Sequence, residues 1–435
     1  MKKDFYDLLQ SAQEYISKNY AQVLENGSEE NSELLESYLA NYLDANTLEV
    51  DDLDRNSLMQ RLIDEMMRFS FLTGYLQRDD VEEVNINNWQ DVKISYSNGQ
   101  VLPAKECFFS ASHAVDVVRR MLRESNIVWD NATPIQVGHL PGNIRITAVG
   151  YDIVDLDKAL AVSIRKVNPK KLEKQDFIEN KTATEEMLDF LTMIYTHGIS
   201  FCFTGATGSG KTTLLSWVLG YVPYNKRLIS IEQGTREFDC TVRDTSGKVL
   251  NNIVHLSTRR SDDSKQDITQ VKLLETIMTM NPDYIAVGES KGEEAMQTVN
   301  AANTGHSVIT TTHANSAEDT YFRFVSLCKL KYPNMDEKLL MTLTVRAFPI
   351  AVFVKKLEDN SRKIMKINEA RCDENGTVHY TTLYQYLIQK NEIQNEKVTV
   401  SGRFEKVANL SDELQSRLLD NGVPQSRLKE FMKGK

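Results

Sequence analysis

Ile199-Ser200-Phe201-Cys202-Phe203 leads into Gly205-Ala206-Thr207-Gly208-Ser209-Gly210-Lys211-Thr212, and Thr212 to Leu219 continues at helical spacing. An apolar strand, a loop satisfying GxxxxGK[ST] and a helix thus follow one another in the order a phosphate loop requires. Glycines let successive backbone N–H groups turn toward one anion, and the helix N-terminus adds partial positive charge. Lys211 is expected at the β- and γ-phosphates, and Thr212 on a Mg²⁺ ion beside it, with Thr213 completing the nucleotide-binding stretch 205–213. A nucleoside triphosphate is the ligand this stretch implies.

Beyond the loop, helices and short apolar strands alternate to about residue 356, the pattern of a mostly parallel sheet wrapped by helices. Ligands bind beyond the carboxyl ends of such strands, so the strand ends matter. Arg227 to Ile231 ends in Glu232. Tyr284 to Val287 ends in Gly288-Glu289, with Asp283 just before it, and Ser307 to Thr311 ends in Thr312-His313. Two carboxylates and a histidine therefore converge on the loop. Glu232 and Glu289 are the candidates for ordering the metal shell and for orienting an attacking water, a task worth roughly 10²–10⁴ in rate.

Upstream, the chain opens with apolar residues at helical spacing: Phe5, Leu8, Leu9, Ala12 and Ile16, and later Leu58, Leu62, Ile63, Met66 and Met67. Short alternating strands follow at 84–87 and 92–96. A helix at Ala111–Glu124 and strands near 143–146 and 161–164 complete an α+β pattern. Lys166 to Lys181 is polar and lysine-rich, which suggests a linker. After about 370 the chain is polar and mixed, with two short helical stretches, Ser411–Asp420 and Gln425–Met432.

Composition narrows the function classes. Of 435 residues, 41% are hydrophobic and 26% charged, which excludes a disordered or fibrous chain. No run approaches the ~18 apolar residues of a membrane span, and the acid-interrupted start has no signal-peptide core, so a cytoplasmic location is expected. Lys plus Arg number 51 against 61 Asp plus Glu, a formal charge of −10, which disfavours a protein that coats nucleic acid. The five cysteines are scattered without a CxxC pair, so neither a zinc site nor a disulfide framework is indicated.

Four motifs in order give the sequence a resemblance to the secretion ATPase superfamily of type II and type IV secretion and of type IV and Flp/Tad pili. They are the phosphate loop, an acidic box from Ile231-Glu232 to Glu237, the Walker B strand ending Val287-Gly288-Glu289, and a histidine box from Thr304-Gly305-His306 to Thr312-His313-Ala314-Asn315-Ser316. Phe71 to Ile86, Leu140 to Ile146 and Ser163 to Lys166 resemble the family's N-terminal domain, most closely its CpaF-like branch. The resemblance implies a C-terminal RecA-like domain with a mostly parallel sheet, preceded by an α+β domain and a helical extension. The expected organisation is a helical extension over 1–70, the α+β domain over 71–168, a linker over 169–184, the ATPase domain over 185–370 and a tail over 371–435.

By the same resemblance, Lys211, Glu232, Glu289 and His313 are catalytic, and Thr212, Glu232 and Glu289 serve Mg²⁺. Arg145 and Arg165 face nucleotide from the N-terminal domain, Arg259 or Arg260 lies near the γ-phosphate, and His306 joins the nucleotide contacts. The implied protein is an ATP-hydrolysing motor: a homo-oligomeric ring, most simply a hexamer. It would be held at the cytoplasmic membrane by an inner-membrane platform or secretion-channel protein, and would make no direct sequence-specific contact with nucleic acid. The sequence departs from the family pattern at Gln233, where an aspartate is usual, at Met278 to Asp283, which lacks two arginines, and at Ser290-Lys291 in place of valine-arginine. Phe238 to Val254 is also longer than usual. A nucleotide-gated assembly platform with little hydrolysis, a nucleic-acid motor and a small-molecule kinase are the alternatives.

Overall fold

The computed structural model describes residues 2–24, 29–46, 48–50, 53–155, 157, 159–166, 172–234, 236–259, 264–394 and 397–432. The chain divides into two units, 1–169 and 170–435.

The first unit begins with a strand pair and three helices: β1 (Lys2–Lys3), α1 (Phe5–Tyr20), α2 (Glu29–Ala45), β2 (Glu49–Val50) and α3 (Arg55–Met67). Asp4 and Asp54 cap α1 and α3 by accepting from backbone N–H groups of the first turn. The helical apolar spacing puts Leu8, Leu9, Ala12 and Ile16 into one core with Leu35, Leu39, Leu43, Leu58 and Leu62. The short α4 (Leu72–Gln77) leads into β3 (Val81–Asn88), β4 (Asp91–Tyr96) and β5 (Val101–Pro103). After α5 (Ala111–Arg123) come β6 (Ile135–Leu140), β7 (Ile144–Gly150) and β8 (Leu160–Lys166). The six strands form an antiparallel sheet ordered β5-β4-β3-β8-β7-β6, in which β5 and β6 join the strands expected from the sequence. Strand β7 alternates strictly, burying Ile144, Ile146 and Ala148 while Arg145 and Thr147 lie on the other face. Val117, Val118, Met121 and Leu122 of α5 cover the apolar face.

Two further contacts tie α3 to α5. Arg120 donates to the carbonyls of Glu65 and Met66, which closes the C-terminal end of α3. His113 Nε2 lies 2.8 Å from the buried Glu65 carboxylate, whose other oxygen accepts from Ser70.

The second unit starts with α6 (Lys174–Glu179), α7 (Glu185–Thr196), β9 (Phe201–Thr204), α8 (Lys211–Leu219), β10 (Leu228–Glu232) and β11 (Ile253–Ser257). It continues through α9 (Gln270–Ile277), β12 (Tyr284–Val287), α10 (Glu294–Asn303), β13 (Ser307–Thr312), α11 (Asp319–Lys331), α12 (Glu337–Ala347) and β14 (Ile350–Lys356). The chain ends in β15 (Arg362–Cys372), β16 (Val378–Gln394), β17 (Lys397–Lys406), α13 (Asp412–Asp420) and α14 (Gln425–Glu430). One nine-stranded sheet runs β11-β10-β12-β13-β9-β14-β15-β16-β17. From β11 to β14 every pairing is parallel, and from β14 to β17 every pairing is antiparallel. Strands β9, β10, β12 and β13 are buried at every position, as expected where helices cover both faces of a parallel sheet.

Two expectations are corrected. The stretch read as a linker contains α6, closed by a capping box between Glu173 and Asp176, and its Phe177 is part of the main core of the second unit. Residues 371–435, read as a polar tail, instead carry the end of β15 and all of β16 and β17 before the two helices, while β15 begins at Arg362 inside the span expected for the ATPase domain. Much of β16 and β17 is exposed or half-buried and polar, and β15 buries Lys363, Asn368 and Glu369, so no apolar run marks these strands.

Candidate functional site

Strand β9 passes into the loop 205–210, and the loop into α8, so the loop sits at the carboxyl edge of the parallel sheet. Gly210 has φ +98°, a left-handed conformation that favours glycine, and a Cβ at Gly205 would lie 2.0 Å from the Val354 carbonyl oxygen. The loop is therefore packed directly against the end of β14. Lys211 is buried, and its Nζ donates to the carbonyls of Gly205 and Ala206, each at 2.9 Å.

Glu232 ends β10 beside the neighbouring β12. A Cβ on Gly288 would lie 3.4 Å from Glu232 Cγ, an ordinary contact distance that places the two strand ends side by side. One Glu232 oxygen accepts from the Glu237 N–H at 2.6 Å. Burial pushes this carboxyl up to about 8, the nearby Glu237 charge adds to the rise, and the hydrogen bond from the Glu237 N–H opposes it.

Glu289 is aimed by β13. Thr311 donates to the Gly288 carbonyl, the Ser290 N–H to the Thr311 carbonyl, and Thr312 to the Ser290 carbonyl, each within 2.8 Å. Those bonds hold the chain on either side of Glu289, and β13 itself ends at His313. His313 Nε2 lies 2.8 Å from Glu289 Oε1, and Lys291 Nζ 3.3 Å from Glu289 Oε2. The histidine and one carboxylate expected from separate strands are thus in contact. Lys291 keeps a cation on Glu289 although it departs from the family's arginine, and Ser290 is buried with its hydroxyl against Thr310.

The altered acidic box has its own partner. Gln233 Nε2 donates to Gln270 Oε1 at 2.9 Å, and Gln270 Nε2 donates to the Glu289 carbonyl at 3.3 Å. Gln270, buried at the start of α9, thereby joins the acidic box to Walker B by amide contacts where a second acid was expected.

His306 does not belong to this cluster. It precedes β13 while His313 follows it, and six residues of strand span roughly 20 Å. Its Nδ1 lies 3.2 Å from the Ala301 carbonyl, and its own carbonyl accepts from Ser200 at the amino end of β9. The structure thus places His306 at the amino end of β13, at the opposite strand end from Glu289 and His313. Arg259 is exposed and bridges to Ile268, and Arg260 lies outside the described residues.

In the first unit, Arg145 and Arg165 are direct cross-strand partners on the solvent-facing side of β7 and β8. Like charges placed opposite each other are unfavourable, and an anion relieves that cost. His139 and Glu83 lie in the same cross-strand row, and burial together with Arg145 lowers the His139 imidazole below its ordinary value.

Sequence reasoning missed Arg362. It opens β15 and donates from Nε to the Gly208 carbonyl at 3.0 Å, across 154 positions of chain. No local motif announces it, because only the β14–β15 pairing brings it to the loop.

The described residues contain no cluster of three or more His, Cys, Asp or Glu side chains able to cage a metal by themselves. Mg²⁺ would not need one, because it keeps several waters and binds through one or two carboxylates together with substrate phosphates.

The model of the Type II/IV secretion system protein family matches residues 111–430. The chain is 26% identical over 261 residues to the conjugal transfer protein TrbB of Rhizobium radiobacter, covering 58% of this chain and 74% of that protein. It is 32% identical over 161 residues to the type IV secretion system protein PtlH of Bordetella pertussis, 37% of this chain and 44% of that one. Matches to two uncharacterized Methanocaldococcus jannaschii proteins span 41% and 37% of their lengths, whereas an uncharacterized Bacillus anthracis protein is matched over 92% at 21% identity. Among solved structures, the VirB11 ATPase of Brucella suis shares 21% identity with a TM-score of 0.36, over 70% of this chain and 96% of that one.

Proposed function

Since this chain belongs to the Type II/IV secretion system protein family, we propose that it is an ATP-hydrolysing motor for substrate transfer or assembly in a type IV secretion, conjugation or Flp/Tad-type pilus machine. The observation that carries this is the pairing of Glu289 with His313 at adjacent strand ends, beside the strand that opens the phosphate loop.

In this reading the N–H groups of 205–213 and the Lys211 ammonium hold the triphosphate. Thr212, Glu232 and Glu289 would hold Mg²⁺, which would supply charge neutralisation and Lewis acidity at the phosphates. Water attacks the γ-phosphorus, the bond to the bridging oxygen breaks toward ADP, and Glu289 takes up the water's proton while His313 fixes its orientation. Arg145 and Arg165 meet phosphate charge in a homo-oligomeric ring, most simply a hexamer, and a platform or channel protein holds that ring at the membrane. No helix among the described residues is long and apolar enough to cross a membrane itself.

Steady-state phosphate release with and without Mg²⁺ tests the proposal: release that requires Mg²⁺ is expected. The amide contacts of Gln233 and the raised Glu232 carboxyl favour a second reading, a nucleotide-gated platform. Tight ATP binding without measurable release would select it over the motor.

A further inference from the structure

Arg362 reaches the phosphate loop from an element that the phosphate-loop motif does not include. Strand β14 lies parallel to β9, with Phe353 opposite Thr204, so its end runs alongside the start of the loop. The chain then reverses between Leu357 and Ser361. The Leu357 N–H donates to the Ser361 carbonyl, and Asp359 accepts from both the N–H and the hydroxyl of Ser361. The other Asp359 oxygen accepts from the Val400 N–H of β17, which anchors the turn to the antiparallel strands. Partial burial raises the Asp359 carboxyl, but the hydrogen bonds it accepts from Ser361 and Val400, with the Lys363 charge, outweigh that and hold it below its ordinary value.

A turn fixed in this way delivers Arg362 to one place. Its Nε donates to Gly208 O at 3.0 Å, and its Cδ lies 3.3 Å from where a Gly210 Cβ would be. Among the described residues, its remaining guanidinium nitrogens have no hydrogen-bond or ion-pair partner. A peptide whose carbonyl is held by a cation has a more polarised N–H on its other side. The peptide after Gly208 carries the N–H of Ser209, one of the donors expected to face phosphate.

We propose that Arg362 is a positioning residue of the phosphate site: it holds the Gly208 carbonyl so that the loop's N–H groups stay directed at the nucleotide, and its charge offsets part of the phosphates' charge. The inference rests on residues 205–212 being that phosphate site. It also makes the antiparallel half of the sheet part of the binding machinery.

The test titrates a fluorescent methylanthraniloyl ADP into the full chain carrying Arg362→Ala, Arg362→Gln or Arg362→Lys, with Lys211→Ala alongside, and follows ATP turnover. Arg362→Ala and Arg362→Gln are expected to weaken ADP binding about 10- to 100-fold, a charge-assisted hydrogen bond's worth, and to raise KM while kcat changes little. Arg362→Lys, which keeps charge and one donor, is expected to recover most of the affinity. A merely structural arginine would lower thermal stability without this split. Should Arg362→Ala fail to fold, the glutamine and lysine variants decide. A glutamine variant within twofold of wild type overturns the proposal. Unchanged ADP binding in Lys211→Ala would remove the phosphate-site reading itself, whereas loss there with none at Arg362 would remove only this inference.

Discussion

Lys211 and Glu289 serve a nucleotide at different moments, so their replacements separate binding from turnover. Lys211→Ala removes the ammonium held over the loop, and isothermal titration should show ATP affinity reduced roughly 10²-fold. Glu289→Gln keeps the shape but loses the proton acceptor. Binding should stay within a few-fold while phosphate release falls about 10²–10⁴-fold; wild-type turnover would shift the main catalytic role to Glu232. Glu232 has a pH signature of its own. Its carboxyl ordinarily titrates at 4.5 and in the fold at about 8, so across that interval the folded chain holds a proton that the unfolded chain has released. Stability from this group is present below 4.5 and is lost as pH rises through 8. Glu232→Gln should therefore match wild type near pH 4.5 and unfold at a higher temperature at pH 8, a difference on the order of a few kcal/mol. Equal midpoints at pH 8 would rule out burial as the cause. At this scale the sequence was legible where chemistry is local: loop residues follow one another, and strand-end acids follow apolar runs. A motif does not say that His306 and His313 occupy opposite ends of one strand, and Arg362 was invisible because a long-range pairing brings it in.

The elements differ in how plainly they announce themselves. Strands β9, β10, β12 and β13 are short apolar runs because helices cover both faces, and they could be read directly. Strands β15 to β17 could not, because polar residues interrupt them: β15 buries Lys363, Asn368 and Glu369, and much of β16 and β17 is exposed or half-buried. Likewise the lysines around α6 hid a helix whose single buried aromatic, Phe177, stacks edge-on against Trp217. Close element contacts carry a further expectation. A Cβ at Gly150, the last residue of β7, would lie 2.3 Å from Trp129 Cζ2. Gly150→Ala should overpack that junction at a cost of about 1–3 kcal/mol, seen as a lower midpoint in denaturant with an unchanged slope. A neutral result would mean that Trp129 can move aside.

For the whole molecule, the question is which subunit completes which site. Arg145 and Arg165 sit side by side in the first unit, and the phosphate loop belongs to the second. Charge supplied in trans to a transferring phosphoryl group is worth about 10³–10⁵ in rate. Mixing Lys211→Ala subunits with subunits carrying Arg145→Ala and Arg165→Ala should restore phosphate release that neither preparation shows alone. Specific activity should also rise with protein concentration. Flat activity from a monomeric particle would refute the ring. The division at residue 169 has a calorimetric consequence. Two units with separate cores need not unfold as one cooperative transition, and two endotherms are expected in calorimetry. A ligand held by the phosphate loop alone raises only the endotherm of residues 170–435, by mass action. If the arginines of a neighbouring copy also grip that ligand, the two endotherms rise together, and only at concentrations where copies associate.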